Sequence, residues 1–267
     1  MRGASADALA ELREELDRAL ADGADAARVA DDLFTVSVVL RSEPALRRVA
    51  TDVSLPAQAK QGLARELFEG KADAASLELI VSAVGRRWRA TRDLADALEH
   101  LSEVSVVRSA GADSGRLADE LFEYAQVVQH NPDLRDALSD PARSTDDKSA
   151  LVSGLLDGKA LPATVTFARQ ALAGTYRTVG VALATYQRVA AEVHGQGVAT
   201  VRVAQTLNDE EMTRLGSTLS RQYGREVHLN VLVDPEVLGG IRVEIGDDVI
   251  DGTVAARLDN ARRQLAG

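Results

Sequence analysis

Three aspartates near the end of the chain, Asp247, Asp248 and Asp251, have types and a spacing that could form a hard-metal site. A calcium loop beginning at Asp247 would place Val249 and Leu258 where oxygen ligands are required. Turn and capping roles explain the three carboxylates better, so we predict no metal site here. A small acid-base or metal-dependent hydrolase that uses this cluster stays open as an alternative, and tight divalent-metal binding would be its signature.

A second segment, from Gly154 to Ala160, is superficially similar to a phosphate-binding loop. It has three residues between its glycines where such loops have four, and Ala160 replaces the Ser or Thr that would bind magnesium. The matching segment Gly70-Lys71-Ala72 follows a helical pattern earlier in the chain. We therefore interpret both glycines as helix ends and predict no nucleotide site.

The histidines do not supply a metal site or a catalytic base either. No two of them have the spacing of ligand pairs on a helix, and the chain has no cysteine. The sequence also lacks a Gly-x-Ser-x-Gly nucleophile motif. We predict a chain with no catalytic residues, no cofactor and no bound metal. The histidines are His100, His130, His194 and His228.

Composition narrows the class of protein. A chain of 267 residues exceeds what one small core usually organises, so two or three domains are expected. Apolar residues make up 45% but aromatics only 3%, which favours packed helices built from Leu, Val and Ala. The net charge of −10 argues against nucleic-acid binding and against adsorption to anionic lipid. No apolar run approaches the roughly 18 residues that cross a bilayer, so we predict a cytosolic chain without direct membrane insertion.

The first two-thirds of the chain contains a duplication. Residues 33–72 align with residues 121–160 without a gap, and roughly a third of the aligned positions are identical. Pro44 falls on Pro132, and Lys60 falls on Lys148. Apolar spacing predicts several short helices in each copy, and such helices need to pack into bundles to be stable.

The pattern predicts a mainly α fold of two tandem helical bundles followed by a small α/β C-terminal domain. The bundles span residues 1–108 and 113–194, and the α/β domain spans residues 198–267. Between the bundles, the small and polar segment 108–115 has the composition of a flexible joint.

In the C-terminal domain, a β-rich run starts at Val198, and a helix opens at Asn208, where Glu211 completes a capping box. Alternating apolar residues predict strands over residues 227–233 and 240–245. A turn at residues 246–248 then leads into a hairpin partner at Val249-Ile250, and Asp251 is expected to cap a last helix. That helix would carry Val254, Leu258 and Leu265.

The stretch from Val233 to Thr253 places an Asp-Pro turn, a Gly-Gly pair, an alternating strand and a Gly-Asp turn in a fixed order. The Gly239-Gly240 pair indicates either a backbone with positive φ between strands or a close backbone approach to a partner helix. This order and spacing resemble the C-terminal signature of the F-type ATP synthase delta subunit family, whose mitochondrial counterpart is the oligomycin-sensitivity-conferral protein. The matching residues are Asp234, Pro235, Gly239, Gly240, Asp247, Asp251 and Gly252.

The resemblance covers essentially the whole chain. Asn131-Pro132-Asp133-Leu134 is similar to the family's short third helix, and Tyr186-Gln187 is similar to its bridge into the C-terminal domain. An ordinary family member has one helical domain, whereas this chain has two, as longer actinobacterial relatives do.

The resemblance implies a non-catalytic stator subunit of the proton-translocating ATP synthase, peripheral to the cytoplasmic face of the cell membrane. In this family the helical domain grips amino-terminal helices of the alpha subunits, and the C-terminal domain binds the b subunits. For the first bundle, the alpha-binding residues would be Leu9, Leu12, Leu16, Leu77, Val81 and Val84. The corresponding second site would use Val165, Leu172 and Tyr176. A helical-bundle adaptor of an unrelated complex is the alternative.

Overall fold

The computed structural model describes residues 1–246, 248–256, 258 and 263, and the chain forms two compact units. One unit runs from Met1 to Tyr186, and the other runs from Gln187 to Gly267. In the part of the chain that the structure describes, no helix is both long and apolar enough to cross a membrane.

Six helices form the first copy of the duplication. Aspartates begin two of them: the Asp25 carboxylate accepts hydrogen bonds from the N–H groups of Ala27 and Arg28, and Asp73 accepts one from Ala75. These bonds satisfy N–H groups that have no partner within the helix. The helices are Ala4–Ala21 (α1), Ala26–Ser42 (α2), Pro44–Thr51 (α3), Ala57–Phe68 (α4), Ala74–Gly85 (α5) and Asp93–Ser109 (α6).

The second copy follows the first at an offset of 88 residues, the distance from Ala26 to Ser114. Four consecutive helices begin and end at this same offset. Pro44 and Pro132 occupy equivalent first-turn positions, where a missing N–H group costs nothing. The helices of the second copy are Ser114–His130 (α7), Pro132–Ser139 (α8), Thr145–Leu156 (α9), Pro162–Ala173 (α10) and Val179–Val193 (α11).

Helix α6 is shared by the two copies. The offset that relates the copies places α1 on α6 and α6 on α11, so α6 closes one copy and opens the other. Twelve of its 17 residues are buried, against four of 18 in α1. It packs against α1, α2 and α5 of the first copy and against α7 and α10 of the second. A helix buried on all sides is the central element of a core, so the helical unit has one continuous core.

The segment 108–115 differs from the irregular linker that its composition indicates. Helix α6 continues to Ser109, a 3₁₀ turn covers Gly111–Asp113, and α7 begins at Ser114. The N–H groups of Ala110 and Asp113 donate to the carbonyls of Val107 and Ala110. Most of the expected joint is therefore helical. Helix α6, which contacts both copies, continues into it. The division of the helical part into residues 1–108 and 113–194 stays a prediction.

The second unit contains a four-stranded sheet in the order β2-β1-β3-β4. Strands β1 and β2 are parallel, and the helix Asp209–Tyr223 (α12) lies between them in the chain, while the other two pairs are antiparallel. The strands are Gly197–Val203 (β1), Val227–Val233 (β2), Ile241–Ile245 (β3) and Asp248–Asp251 (β4). This sheet and the preceding helices confirm the predicted mainly α fold with a small α/β C-terminal domain.

Alternation on β1 builds the core of this sheet. Ala199, Val201 and Val203 are at most 1% exposed and pack with Val243 and Leu219. The predicted capping box is confirmed, since the Asn208 side chain accepts from the Glu211 N–H and the Glu211 side chain accepts from the Asn208 N–H. Both strand pattern and helix start therefore follow from local sequence.

The predicted cap at Asp251 is wrong in its details. The Asp251 carboxylate accepts hydrogen bonds from the N–H and the hydroxyl of Thr253. The Thr253 hydroxyl in turn accepts from the Ala256 N–H at 3.2 Å, so Thr253 caps the helical residues that begin at Val254. Asp251 instead holds the turn before the helix. Leu265, expected on that helix, lies outside the described residues.

Candidate binding surfaces

The aspartate cluster considered for metal binding is used in local hydrogen bonds. The Asp248 carboxylate accepts from the Tyr223 hydroxyl at 3.2 Å, and Asp251 binds Thr253. Asp247 lies outside the described residues. Within the described ranges, no group of three or more His, Cys, Asp or Glu side chains could hold a metal ion. The hydrogen bond from Thr253 holds the pKa of Asp251 below its ordinary value.

The predicted alpha-binding residues lie mainly in the core of the first copy. Leu12 and Leu16 of α1 are fully buried, and Val81 and Val84 of α5 are 4% and 5% exposed. Leu9 and Leu77 are half-buried and are the two members of the set that are partly exposed to solvent. For the second copy, Val165 is buried, whereas Leu172 and Tyr176 are half-buried.

The surface between α1 and α5 is polar. A cavity of about 450 Å³ lies there, lined by Glu15, Arg18, Ala19, Asp22, Ala75, Glu78, Leu79 and Ser82. Arg86 at the end of α5 pairs with Glu11 and Glu15 of α1, which closes one end of this surface. Any partner helix that binds here therefore meets charged side chains, and neither Leu9 nor Leu77 lines this cavity.

A larger and more apolar groove lies on the second copy. It has a volume of about 520 Å³ and is bounded by α7, α8, α9 and the start of α10. Sequence periodicity did not identify it, because its leucines have the same spacing as core residues. No sequence signal separates them, and only the structure shows that Leu155 (38%) and Val127 (47%) are exposed.

A buried polar cluster joins α2 and α6 to the segment between α10 and α11. Arg41 pairs with Glu99, and Glu99 also accepts a hydrogen bond from the Thr175 N–H at 2.9 Å. Glu103 accepts from the Tyr176 hydroxyl at 2.6 Å. Burial raises the pKa of the Glu99 carboxyl, while the Arg41 guanidinium acts in the opposite direction. These contacts tie α2 and α6 to the segment before α11, so the cluster connects the two copies.

The C-terminal signature residues build a tight turn in the sheet. Gly240 has a φ of +81°, and a Cβ there would lie 2.4 Å from the Gly252 carbonyl oxygen. The Gly252 N–H donates to the Ile241 carbonyl, and the Val254 N–H donates to the Gly239 carbonyl. Of the two interpretations of the glycine pair, positive φ is confirmed, and the close approach is to the chain itself.

Asp234 and Pro235 complete this scaffold at the end of β2. The Asp234 N–H donates to the Val203 carbonyl, and the Asp234 carboxylate accepts from the Glu236 N–H at 2.9 Å. The turn ends β2 and redirects the chain toward Gly239. The signature therefore consists of residues that hold the shape of the second unit.

Exposed apolar side chains surround the signature. Leu238 is 82% exposed and Leu258 62% exposed, and Val254 packs beside Gly239. Strand β4 is at the edge of the sheet and all four of its residues are exposed. Exposed apolar side chains and a strand at the edge of a sheet are features of surfaces that bind another chain.

A family model described as ATP synthase delta (OSCP) subunit matches residues 104–265. The match begins within α6 and extends through the second copy and the C-terminal unit. A protein named ATP synthase subunit delta from Nocardioides sp. is 59% identical over 268 residues, covering 100% of this chain and 98% of the relative.

Proteins of the same name extend this similarity to other organisms. The protein from Frankia alni is 42% identical over 275 residues, covering 99% of each chain. The protein from Streptomyces coelicolor is 41% identical over 272 residues, covering 100% of this chain and 98% of the relative. The similarity therefore includes the first helical copy, which the family model does not match.

Proposed function

Because this chain belongs to the ATP synthase delta (OSCP) subunit family, whose members are non-catalytic components of the peripheral stalk of the F-type ATP synthase, we propose that it links two specific partners. Its helical unit binds the amino-terminal helices of the alpha subunits, and its C-terminal unit binds the b or b-like stator subunits. The observation that carries this proposal is the similarity over the full length of the chain to the Nocardioides protein.

The alpha-binding region includes the α1 and α5 residues identified from the sequence. Leu9 and Leu77 are half-buried and would make direct contacts, whereas Leu12, Leu16, Val81 and Val84 are buried residues of the same two helices. Ion pairs from Arg86 to Glu11 and Glu15 connect α1 to the residue that follows α5.

The b-binding region is the exposed apolar surface of the second unit. Leu238, Leu258 and Val249 supply apolar area, and β4 supplies the edge strand of the described sheet. The signature residues support this surface indirectly, because they fix the turn that carries Leu238. A helix from a stator chain would bury these side chains in the usual helix-in-groove manner.

The mechanical role follows from having two binding surfaces on one chain. Rotation of the central shaft would turn the catalytic head unless a peripheral link resisted it, so the link has to hold both partners under repeated load. The chain is acidic, with a net charge of −10, and would be repelled by anionic lipid. We place it at the cytoplasmic face of the cell membrane, held there by its partners.

Calorimetric titration of the full chain tests both contacts separately. One ligand is a peptide of the first twenty or so residues of the alpha subunit, and the other is the terminal segment of the b subunit. Replacing both Leu238 and Leu258 with Asp should abolish b binding and leave alpha binding unchanged. Replacing both Leu9 and Leu77 with Asp should do the reverse. A folded natural chain that binds neither ligand would overturn the proposal.

A further inference from the structure

Two glutamates one turn apart on α6 form a buried acidic pair. The side chains of Glu99 and Glu103 are 2% and 1% exposed, and residues four apart lie on the same face of a helix. Arg41 is the one guanidinium that pairs with either of them among the described residues, and it also pairs with Asp96. Two buried negative charges therefore depend on one guanidinium that a third carboxylate shares.

The first copy contains the same pair in a different environment. At the constant offset of 88 residues, Glu11 and Glu15 of α1 match Glu99 and Glu103 of α6. The side chains of Glu11 and Glu15 are 61% and 28% exposed, and both pair with Arg86. Water and an arginine of the same copy thus stabilise the first pair, whereas the second pair has lost most of its contact with water.

Gly174 stands at the position that matches Arg86. A Cβ at Gly174 would overlap a carboxylate oxygen of Glu99, so a side chain here is incompatible with the position of Glu99. The second copy therefore lacks the arginine that balances the first pair. When two carboxylates share a buried site, the uptake of one proton relieves their repulsion.

The acidic pair attaches the segment between α10 and α11 to α6. The Glu99 carboxylate accepts a hydrogen bond from the Thr175 N–H at 2.9 Å, and the Glu103 carboxylate accepts from the Tyr176 hydroxyl at 2.6 Å. Helix α11 begins three residues later, at Val179. Repulsion between the two carboxylates therefore acts on both contacts that hold this segment.

From the burial of the pair, its one shared guanidinium and the glycine beside Glu99, we propose that Glu99 and Glu103 take up one proton on mild acidification, which strengthens the attachment of the α10–α11 segment to α6. The proton comes from solvent and bonds to a carboxylate oxygen of the pair. All of these contacts lie within the helical unit and involve no partner chain. This inference and the proposed function can therefore fail independently.

The direction of the pH effect follows from the different environments of Glu99 in the attached and detached segment. Burial raises the pKa of its carboxyl above the ordinary value of 4.5, the Arg41 guanidinium and the Thr175 N–H oppose this shift, and the charge of Glu103 adds to it. Detachment lets water reach Glu99, which returns its pKa toward the ordinary value. The attached state therefore binds more protons between the two pKa values, and detachment becomes easier as pH rises through that range.

His100 is a second group beside the pair that could take up the proton. Its Nδ1 lies 3.2 Å from a Glu103 carboxylate oxygen, and a histidine changes charge between about pH 5 and pH 8. Helix α10 contributes the uncharged Gln170, which donates to Ser102 of α6. Burial raises the pKa of the Tyr186 hydroxyl, so this group stays protonated. The charged or titratable groups against the pair are Arg41 of α2, Asp96 and His100 of α6, Tyr176 before α11 and Tyr186 of α11.

Hydrogen exchange of the full chain tests the proposal. Protection of the Thr175 N–H, corrected for intrinsic exchange, should fall at least about threefold between about pH 5.5 and pH 7.5. Glu99→Gln keeps an acceptor for this N–H but cannot titrate, so its protection should stay constant over that range. Glu11→Gln is the matched control at the equivalent exposed position and should leave the pH dependence unchanged. Protection that is constant in the natural chain, or that falls equally in Glu99→Gln, would overturn the proposal.

His100→Gln shows which group takes up the proton. This variant should keep the pH dependence of Thr175 protection, and its loss would place the proton on the imidazole and overturn the assignment to the carboxylates. Infrared difference spectra between acidic and neutral pH give a second measurement. The natural chain should show a protonated carboxyl band that is missing in Glu99→Gln and appears only at lower pH in Glu103→Gln. A band that neither variant changes would show that the proton binds elsewhere, and circular dichroism confirms that each variant is folded.

Discussion

The Tyr176 hydroxyl donates a 2.6 Å hydrogen bond to the Glu103 carboxylate, which is 1% exposed on the helix shared by the two copies. His100 Nδ1 lies 3.2 Å from the other carboxylate oxygen of Glu103. A buried carboxylate needs such partners, because desolvation of an unpaired charge costs several kcal/mol. The bond therefore connects the second copy to α6 at a point where the core cannot tolerate a missing donor.

Replacing Tyr176 with Phe should lower the free energy of unfolding by about 2 kcal/mol, because it removes a donor from a buried carboxylate. Thermal or urea unfolding of the full chain measures the effect. Tyr124→Phe is the matched control, since the Tyr124 hydroxyl has no hydrogen-bond partner among the described residues. That change should be neutral or slightly stabilising. Equal losses in the two variants would show that the bond to Glu103 contributes nothing.

Lys60 is only 6% exposed and lies on α4 of the first copy. Burial lowers the pKa of its ammonium group, and the nearby Asp52 acts in the opposite direction. At neutral pH the charged ammonium therefore opposes folding. Lys60→Met keeps the apolar stem and removes the charge, so it should raise the free energy of unfolding by about 1 kcal/mol.

The pH dependence of this gain has a definite sign. The folded-state pKa of Lys60 lies below its ordinary value of 10.5, so the unfolded chain binds more protons between these two values. The free energy of unfolding of the natural chain should rise with pH in that window. The advantage of Lys60→Met is then largest at neutral pH and shrinks toward pH 10.5. Lys148→Met is the control, since Lys148 is half-exposed at the equivalent position. A gain that stays constant with pH would contradict the burial explanation.

Local sequence was sufficient to predict the repeat, the strands of the C-terminal domain and the start of the helix at Asn208. The gapless match of residues 33–72 to 121–160 corresponds to helices at one constant offset. The capping box at Asn208 and the alternation on β1 were also predicted, because both depend on residues near in sequence. The positive φ at Gly240 follows from the same local reasoning.

The shared role of α6 could not be predicted in this way. Glu99 and Glu103 have the residue type of a solvated helix face, yet they are 2% and 1% exposed. Their partners Arg41 and Tyr176 lie more than 55 residues away in the chain, so only the tertiary fold brings them together. The apolar groove on the second copy was missed for a similar reason, since packing alone distinguishes an exposed Leu155 from a core leucine.

Gly240 is the position where adding a single methyl group should most reduce the stability of the second unit. A Cβ there would lie 2.4 Å from the Gly252 carbonyl oxygen and 2.9 Å from the Thr253 Cα, at a φ of +81°. Gly240→Ala should therefore cost at least about 2 kcal/mol from strain and overlap. Hydrogen exchange of β1 and β3 measures the loss, with the helices of the first unit as an internal reference.

Gly246→Ala is the control for backbone strain alone. Gly246 has a φ of +58°, and among the described residues a Cβ there would meet no atom within 4 Å. Its cost should be limited to about 1 kcal/mol, the penalty of a left-handed conformation for alanine. If both variants lose the same protection, the close approach of Gly240 to Gly252 is not what constrains this turn.

The ion pair between Arg41 and Glu99 allows a direct test of the polar cluster that connects the copies. Arg41→Met leaves the Glu99 carboxylate buried, with the Thr175 N–H as a remaining donor, and should cost about 3 kcal/mol at neutral pH. Adding Glu99→Gln removes the uncompensated charge and should recover much of that loss. A double-mutant cycle from urea unfolding isolates the coupling between the two side chains.

The same pair predicts how stability depends on pH. Burial already raises the pKa of Glu99, and loss of the Arg41 guanidinium raises it further. Because the folded-state pKa then exceeds the unfolded-state value, the folded Arg41→Met variant binds more protons as pH falls through that range. Its free energy of unfolding should therefore approach that of the natural chain at acidic pH. A loss that is independent of pH, or a double variant no more stable than Arg41→Met, would show that the stability cost comes from lost packing and not from a buried charge.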